Sequence, residues 1–404
     1  MSNWRIIFSW RMLVNFFLGI SSGLPLLLIG STLQAWMTDE KVDLKLIGLF
    51  SLVGVPYTFK FAWAPLMDRY VPRFLGRRRG WILITQILLA LSVASLSFVS
   101  PAQGPGRVAL LAVIIAFFSA SQDIVFDAYR REVLSDQELG LGSSMGVNGY
   151  RIGMLISGAF ALYLADQTTW HQVYLILAAI FLIFGIFTIL APNPVETIAP
   201  PSNLSEAVFA PLVDYFRRSG SIEILLFIVL YKIGDVMAAN LTTPFYLNLG
   251  FTKTQIATIV KSFGLAATLA GTFLGGLCLL RWGIFRSLWV FGILQASSTA
   301  AFALLARVGP HHGLLTGVIA FENVASGMGT SAFVAFMGSL TNRKFTAFQY
   351  ALLSSLIGVP RAILASPTGY MQSAMGWESF FLFCAIIAIP GMLLLLRFNR
   401  WQKM

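Results

Sequence analysis

Residues 64–80 read APLMDRYVPRFLGRRRG, five arginines and one aspartate enclosed between two apolar runs. The run before it starts near residue 45 and the run after it extends to about residue 100. Each is close to the ~20 apolar residues that carry a helix across a bilayer. The charged stretch is therefore a short connection between two membrane helices, and its arginines mark the cytoplasmic side. The whole chain agrees with this reading. Of its 404 residues 57% are hydrophobic and only 11% charged, with a mean hydropathy of +0.77, whereas soluble domains carry ~25% charged residues. A soluble fold is excluded, and an all-α membrane protein is expected.

The same punctuation by charge, Gly and Pro predicts helices at about 12–37, 45–67, 80–100, 108–129, 141–165 and 171–191. A second set follows at about 222–248, 254–280, 285–306, 313–337, 345–372 and 377–397. Twelve transmembrane helices thus fall into two six-helix halves, 1–191 and 221–404, joined by a polar linker at 192–220. Within the linker Leu204, Val208, Leu212 and Phe216 recur every four residues, which predicts a short amphipathic helix on the membrane surface. The first apolar run has no cleavage pattern and reads as a retained helix.

With both termini cytoplasmic, eighteen of the 28 cations lie on the cytoplasmic side, five on the other, and five inside predicted helices. The net charge of +11 therefore reports orientation rather than nucleic-acid binding. The two halves echo each other at an offset of about 210 residues, as parallel repeats do: GGLCLLRWGIFR from Gly275 repeats the Arg-then-Gly-plus-basic turn without an acid matching Asp68.

Nine ionisable residues fall inside predicted spans: Lys60, Asp123, Asp127, Arg151, Lys232, Asp235, Lys261, Glu322 and Arg361. Facing lipid they would cost on the order of 20–30 kcal/mol together, so they must face an interior, and a polar transport path is the default reading. Asp123 and Asp127 share one face of the fourth helix. Asp127 lies within a turn of Arg130 and reads as a gate near the Asp68–Arg69 turn, with Arg77 in the same basic cluster. Asp123, beside Gln122, is read as a substrate or proton site, with a plain internal ion pair as the alternative. Lys232 and Asp235, three apart, are close enough to pair and to open for a proton or substrate. Glu322 has no cation within a helical turn, which suits reversible protonation.

Tyr57, Lys60, Tyr150, Arg151, Asn240 and Gln349 supply aromatic faces, amides and cations for a polar solute. Gly142, Gly146, Gly149, Gly153 and Gly158 give the fifth helix two GxxxG spacings that permit close helix contact. There is no P-loop, no GxSxG and no HExxH, so neither ATP hydrolysis through a P-loop nor a recognisable hydrolase is expected. Cys278, Cys384, His171, His311 and His312 lack metal-ligand spacing, and no metal or cofactor is expected beyond a proton gradient.

The 64–80 stretch resembles the loop signature of the major facilitator superfamily, G-x-x-x-D-R/K-x-G-R/K-R/K, with Ala64 for the first Gly and extra residues before Gly76. STLQAWM from Ser31, DLKLIGLFSLVGVPYTFKFAWAPLMDRY from Asp43, FFSASQDIVFDAYRREVL from Phe117 and GYRIGMLISG from Gly149 are similar to the AmpG-type muropeptide permeases of Gram-negative bacteria. YKIGD from Tyr231, GILQASS from Gly292, FENVASGMGTSAFVAF from Phe321 and QYALLSS from Gln349 continue that similarity. The resemblance implies a major facilitator fold whose two pseudo-symmetric halves rock about a central site. It implies a monomeric inner-membrane importer, not an enzyme, that carries N-acetylglucosaminyl-1,6-anhydro-N-acetylmuramyl peptides with protons for peptidoglycan recycling. In some species the products regulate an inducible β-lactamase. SQDIVFDA also resembles the acetyl-coenzyme A transporters, so that substrate stays open, as do drug efflux and a membrane-embedded transferase.

Overall fold

The computed structural model describes residues 6–194, 199–356 and 367–401, so Arg361 lies outside the described residues. The chain divides into two compact units, Met1–Pro211 with Thr341–Leu352, and Leu212–Leu340 with Leu353–Met404. Seven helical stretches among the described residues are long and apolar enough to cross a membrane, one of them, Ile256–Val308, running through two predicted spans. The second, fifth, seventh and eleventh predicted helices are not among them. The eleventh lies partly outside the described residues, and the second and seventh are broken into short helices.

In the first unit α1 (Trp10–Leu27) passes through a π turn at Leu28–Thr32 into α2 (Leu33–Asp39). The second predicted helix is a chain of short pieces, Leu44–Leu49, Val55–Phe59 and α3 (Ala64–Arg69), joined by 3₁₀ turns at Phe50–Gly54 and Lys60–Ala62. Pro56 and Pro65 each remove an amide donor and stand near the starts of new pieces. Lys60 consequently sits just beyond the C-terminal end of Val55–Phe59, where unpaired carbonyls favour a cation. The long helices α4 (Gly76–Ser97), α5 (Pro105–Val133), α6 (Leu139–Leu155) and α7 (Trp170–Leu190) complete the bundle.

Glycine sets the seam between α1 and α6. A Cβ at Gly19 would stand 2.3 Å from the Gly146 carbonyl oxygen, and one at Gly153 2.2 Å from that of Ile20. Only hydrogen fits there, so the GxxxG spacing brings backbone against backbone.

The linker helix α8 (Leu204–Phe216) begins in the first unit. Lys344 reaches Glu206 at 2.7 Å, and Ser202 donates to the same carboxylate through its amide (2.7 Å) and its hydroxyl (2.5 Å). These bonds, that of Lys344 first, hold the Glu206 carboxyl at about 2, below its ordinary 4.5. A depressed folded value means that the clasp stabilises fully above the unfolded value and is lost as pH falls toward about 2. The difference in thermal midpoint between the wild type and Glu206→Gln is therefore expected to stay constant from pH 8 to about 5 and to shrink below about 4.5. A difference that changes across neutral pH would contradict it.

In the second unit the seventh predicted helix is two, α9 (Ser221–Tyr231) and α10 (Ile233–Asn248), separated at Lys232 (φ −104°, ψ 0°). A π turn at Ile256–Phe263 leads into α11 (Gly264–Val308), which reverses at Gly283 (φ +72°), a backbone shape suited to glycine. There the sequence predicted the cytoplasmic turn between the eighth and ninth helices. Then come α12 (His312–Ser339), α13 (Thr346–Leu356, of which residues to Leu352 belong to the first unit) and α14 (Thr368–Ile387).

Candidate functional site: buried charges in the two units

In the first unit Asp123 projects from α5 and accepts a hydrogen bond from Ser22 of α1. Lys60, buried at 8% exposure, acts on this carboxylate through its charge. One turn earlier on the same face of α5, Ser119 accepts from the Tyr57 hydroxyl at 2.8 Å, and the Trp63 indole donates to Ser121 at 3.0 Å. The broken second helix thus lays Tyr57, Lys60 and Trp63 along α5. Tyr57, Lys60 and Asp123, spread over two helices in the sequence, come together.

Gln122 does not join them. A helix turns about 100° per residue, so the neighbour of Asp123 faces elsewhere. Its amide donates to Ser21 (2.8 Å), which also takes the Gln86 amide (3.0 Å), and Gln86 accepts from Thr188 (2.7 Å). This chain ties α1, α4, α5 and α7 together through the Gln122 nitrogen, while the buried Gln122 Oε1 has no hydrogen-bond partner among the described residues. Tyr150 and Arg151 stand half-buried on α6.

Asp127 pairs with Arg130 at 2.7 Å. Arg130 in turn donates to the Tyr350 hydroxyl at 2.9 Å and stacks over the rings of Phe126 and Tyr350, at 5.4 and 5.6 Å. Gln349 also belongs to this end. It accepts from the Asn342 amide (2.7 Å) and donates to the Pro211 carbonyl (3.1 Å). Expected in substrate binding, it instead clasps the start of α13 to the linker helix, because its buried amide is used by backbone.

The charged turn is organised differently from the expectation that Asp68, Arg69 and Arg77 form the gate. Arg78 is the centre: its guanidinium reaches Asp68 at 2.6 Å, Glu132 at 2.7 Å and the Met67 carbonyl at 3.2 Å, with the side chain wholly buried. Arg77 adds a longer bond to Glu132 at 3.2 Å. Arg69 lies over the ring of Tyr70 instead, 5.8 Å from its centre. Asp68 also accepts from the amides of Ala347 (3.3 Å) and Phe348 (2.9 Å) at the first turn of α13. A carboxylate is favoured there by the helix dipole and its unpaired amides. Arg78 and Glu132 were missed. The signal for Arg78 was its phase, since the buried positions Ile82, Gln86, Leu89 and Val93 of α4 extend backwards onto it.

In the second unit a cavity of about 310 Å³ is lined by Asp235, Lys261, Glu322 and Asn323, with Thr242, Tyr246, Thr268 and Thr299 among the rest. Lys261 comes from the π turn before α11, a distortion common at functional sites. Asp235, in the first turn of α10, is paired with Lys232 at 3.3 Å and accepts from Gln295 at 2.6 Å. Asn323 accepts from Thr268 at 2.7 Å. Asn240 lies apart, donating to Thr368 at 2.8 Å. Asp235 and Glu322 therefore share one polar space with Lys261, one of the nine ionisable residues expected to face the interior, and Gln295 joins a site that sequence reasoning had built without it. Here too each carboxylate has a lysine close by or across the same cavity.

Residues 11–321 match the Major Facilitator Superfamily. The chain is 48% identical over 394 residues to an anhydromuropeptide permease of Escherichia coli strain K12, covering 97% of this chain and 80% of that protein. It is 36% identical over 406 residues to a putative transporter AmpG 4 of Rickettsia conorii, covering 98% of both. Among solved structures, the proton:xylose symporter XylE matches with a TM-score of 0.73 over 98% of this chain and 96% of that one, at 12% identity. The E. coli fucose:proton symporter FucP follows at 0.70 over 97% and 98%, at 16% identity. At such identities the structures speak for the fold alone. Helix order, membrane-depth charges and these matches agree: the chain is a multi-pass membrane transporter, not an enzyme, and belongs to the major facilitator superfamily and, within it, to the family of the anhydromuropeptide permeases.

Proposed function

We propose that this protein imports anhydromuropeptides across the inner membrane by alternating access, driven by protons, with both termini in the cytoplasm, and so returns wall fragments for peptidoglycan recycling. The observation that carries the substrate is the 48% identity over 97% of the chain to the E. coli permease. The side chains suit such a solute. Two acetamido sugars and a peptide need hydroxyl, amide and charged partners, and Tyr57, Lys60 and Asp123 in one unit and Lys261, Glu322 and Asn323 in the other are of those types. In species with an inducible β-lactamase, the imported fragments would feed its regulation.

Proton coupling draws support from acids placed near lysines: Asp235 pairs with Lys232, Asp123 feels the charge of Lys60, and Glu322 lines the same cavity as Lys261. Protonating such a carboxylate releases its cation, which gives a proton and an anionic group of the solute alternate claims on one site. The test is uptake of labelled disaccharide peptide into liposomes holding the purified protein. Wild type should move the solute chemically unchanged and accumulate it roughly fiftyfold per proton driven by 100 mV. Asp123→Asn or Glu322→Gln should lose most of that accumulation and keep counterflow exchange. Equal loss in both assays removes the residue from the coupling role, and no uptake of the labelled solute by the wild type removes the substrate.

A further inference from the structure

We infer that the linker helix α8 is a lipid-binding surface of the cytoplasmic leaflet: Phe209, Val213 and Phe216 seat at the boundary of acyl chains and headgroups, and Arg217 takes an anionic headgroup.

The helix has two faces. Ala207 and Tyr215 are buried, whereas Phe209, Val213 and Phe216, spaced four and three apart on one stripe, are 64%, 46% and 54% exposed. The sequence expected Val208 and Leu212 on the apolar face, but both are half-buried, so the exposed stripe is rotated by one position from that reading. Such a contiguous row of large apolar side chains does not rest in water without a partner. The place of the helix supplies one. Only Arg217 to Gly220 separate Phe216 from the start of α9 at Ser221, and five steps of chain reach at most about 18 Å. Gly220 tightens the turn further with φ +86°, and a Cβ there would stand 2.7 Å from the Trp401 ring, whose indole donates to Glu223 at 3.1 Å. The C-terminal end of α8 is thereby held beside the start of α9, the apolar stretch that the sequence reads as the seventh membrane helix.

Charge points the same way. The acids of α8 are already used: Glu206 is paired with Lys344, and Asp214 with Arg218 at 2.5 Å. Arg217 is exposed, so the free rim of this amphipathic helix is cationic and complements an anionic leaflet.

The test uses the full chain in liposomes of phosphatidylcholine with or without phosphatidylglycerol. Nitroxide labels go to Phe209→Cys, Val213→Cys and Phe216→Cys in a background with Cys278→Ala and Cys384→Ala. At all three sites collisions with oxygen should exceed those with a water-soluble nickel chelate. Phosphatidylglycerol should raise the membrane-seated population about fivefold, the effect of one arginine near an anionic surface, and Arg217→Gln should abolish that rise. Hydrogen exchange on the unlabelled wild type gives a second reading, with residues 204–216 gaining protection on transfer from detergent to phosphatidylglycerol discs. Free access of the chelate to all three sites overturns the inference, as does shielding from both reagents, which would mean that protein covers the stripe. An unchanged exchange pattern also overturns it. These measurements read the depth of a surface helix, so their failure leaves the transport function untouched.

Discussion

Arg78→Ala is expected to cost about 3–5 kcal/mol of stability, the usual penalty for stripping one partner from a buried ion pair. The side chains of Arg78 and Asp68 are both wholly buried, and that of Glu132 is 6% exposed. Removing the guanidinium leaves two carboxylates facing each other without a shared cation. Asp68 keeps the amides of Ala347 and Phe348, while Glu132 keeps, among the described residues, the longer bond to Arg77. Arg78→Lys should recover part of the loss, because an ammonium supplies charge without the planar fork that serves Asp68, Glu132 and the Met67 carbonyl together. Arg77→Ala should cost clearly less, since its single long bond is the weaker contribution. Thermal unfolding in detergent, followed through the ten tryptophans, orders the three variants. Equal losses for Arg77→Ala and Arg78→Ala would refute the assignment of Arg78 as the centre.

That centre shows where reading the chain succeeds and where it stops. The bilayer imposes a length and an apolar composition on every crossing helix, so their number and order follow from runs of hydrophobic residues. Glycines four apart likewise announce the seam between α1 and α6. Three successive arginines, by contrast, point in three directions, and only the helix phase set by Leu75 and Gly76, both at positive φ, turns the second of them inward. The interruption at Lys232 has no proline at the break. It goes with a tertiary contact, the backbone of Gly234 against Cys384, where a Cβ would lie 2.2 Å from the carbonyl oxygen. Gln349 was read as a solute ligand, yet the backbone of Asn342 and Pro211 uses its amide, whereas Gln122 gives its nitrogen to Ser21 and keeps a buried Oε1 without a partner among the described residues. Composition cannot tell whether a buried polar group is held by its own fold or is free for a visitor. That Asp123, Asp235 and Glu322 face polar partners could be read from the sequence, because a charge at membrane depth demands a partner wherever it comes from.

Gly23→Ala should damage the protein far more than its size suggests. A Cβ there would stand 2.0 Å from the Tyr150 carbonyl oxygen and 2.7 Å from its carbon, and one at Gly149 would stand 2.1 Å from the Phe16 oxygen. The obstacles are backbone atoms, which no rotamer change can move aside, so α1 and α6 must separate. Overpacking of this kind costs about 1–3 kcal/mol. The functional loss should be larger, because Ser22, the residue beside Gly23, holds Asp123, and a shift of α1 withdraws that hydroxyl from the carboxylate. Gly317→Ala is the matched control. It lies within α12 with nothing within 4 Å of its would-be Cβ, and replacing a helical glycine by alanine at an open position is neutral or stabilises by roughly 0.5–1 kcal/mol. The thermal midpoint and gradient-driven uptake should fall together in Gly23→Ala and Gly149→Ala and hold in Gly317→Ala. Uptake at the wild-type level in Gly23→Ala would mean that the seam tolerates separation and that Asp123 does not depend on Ser22 for its place.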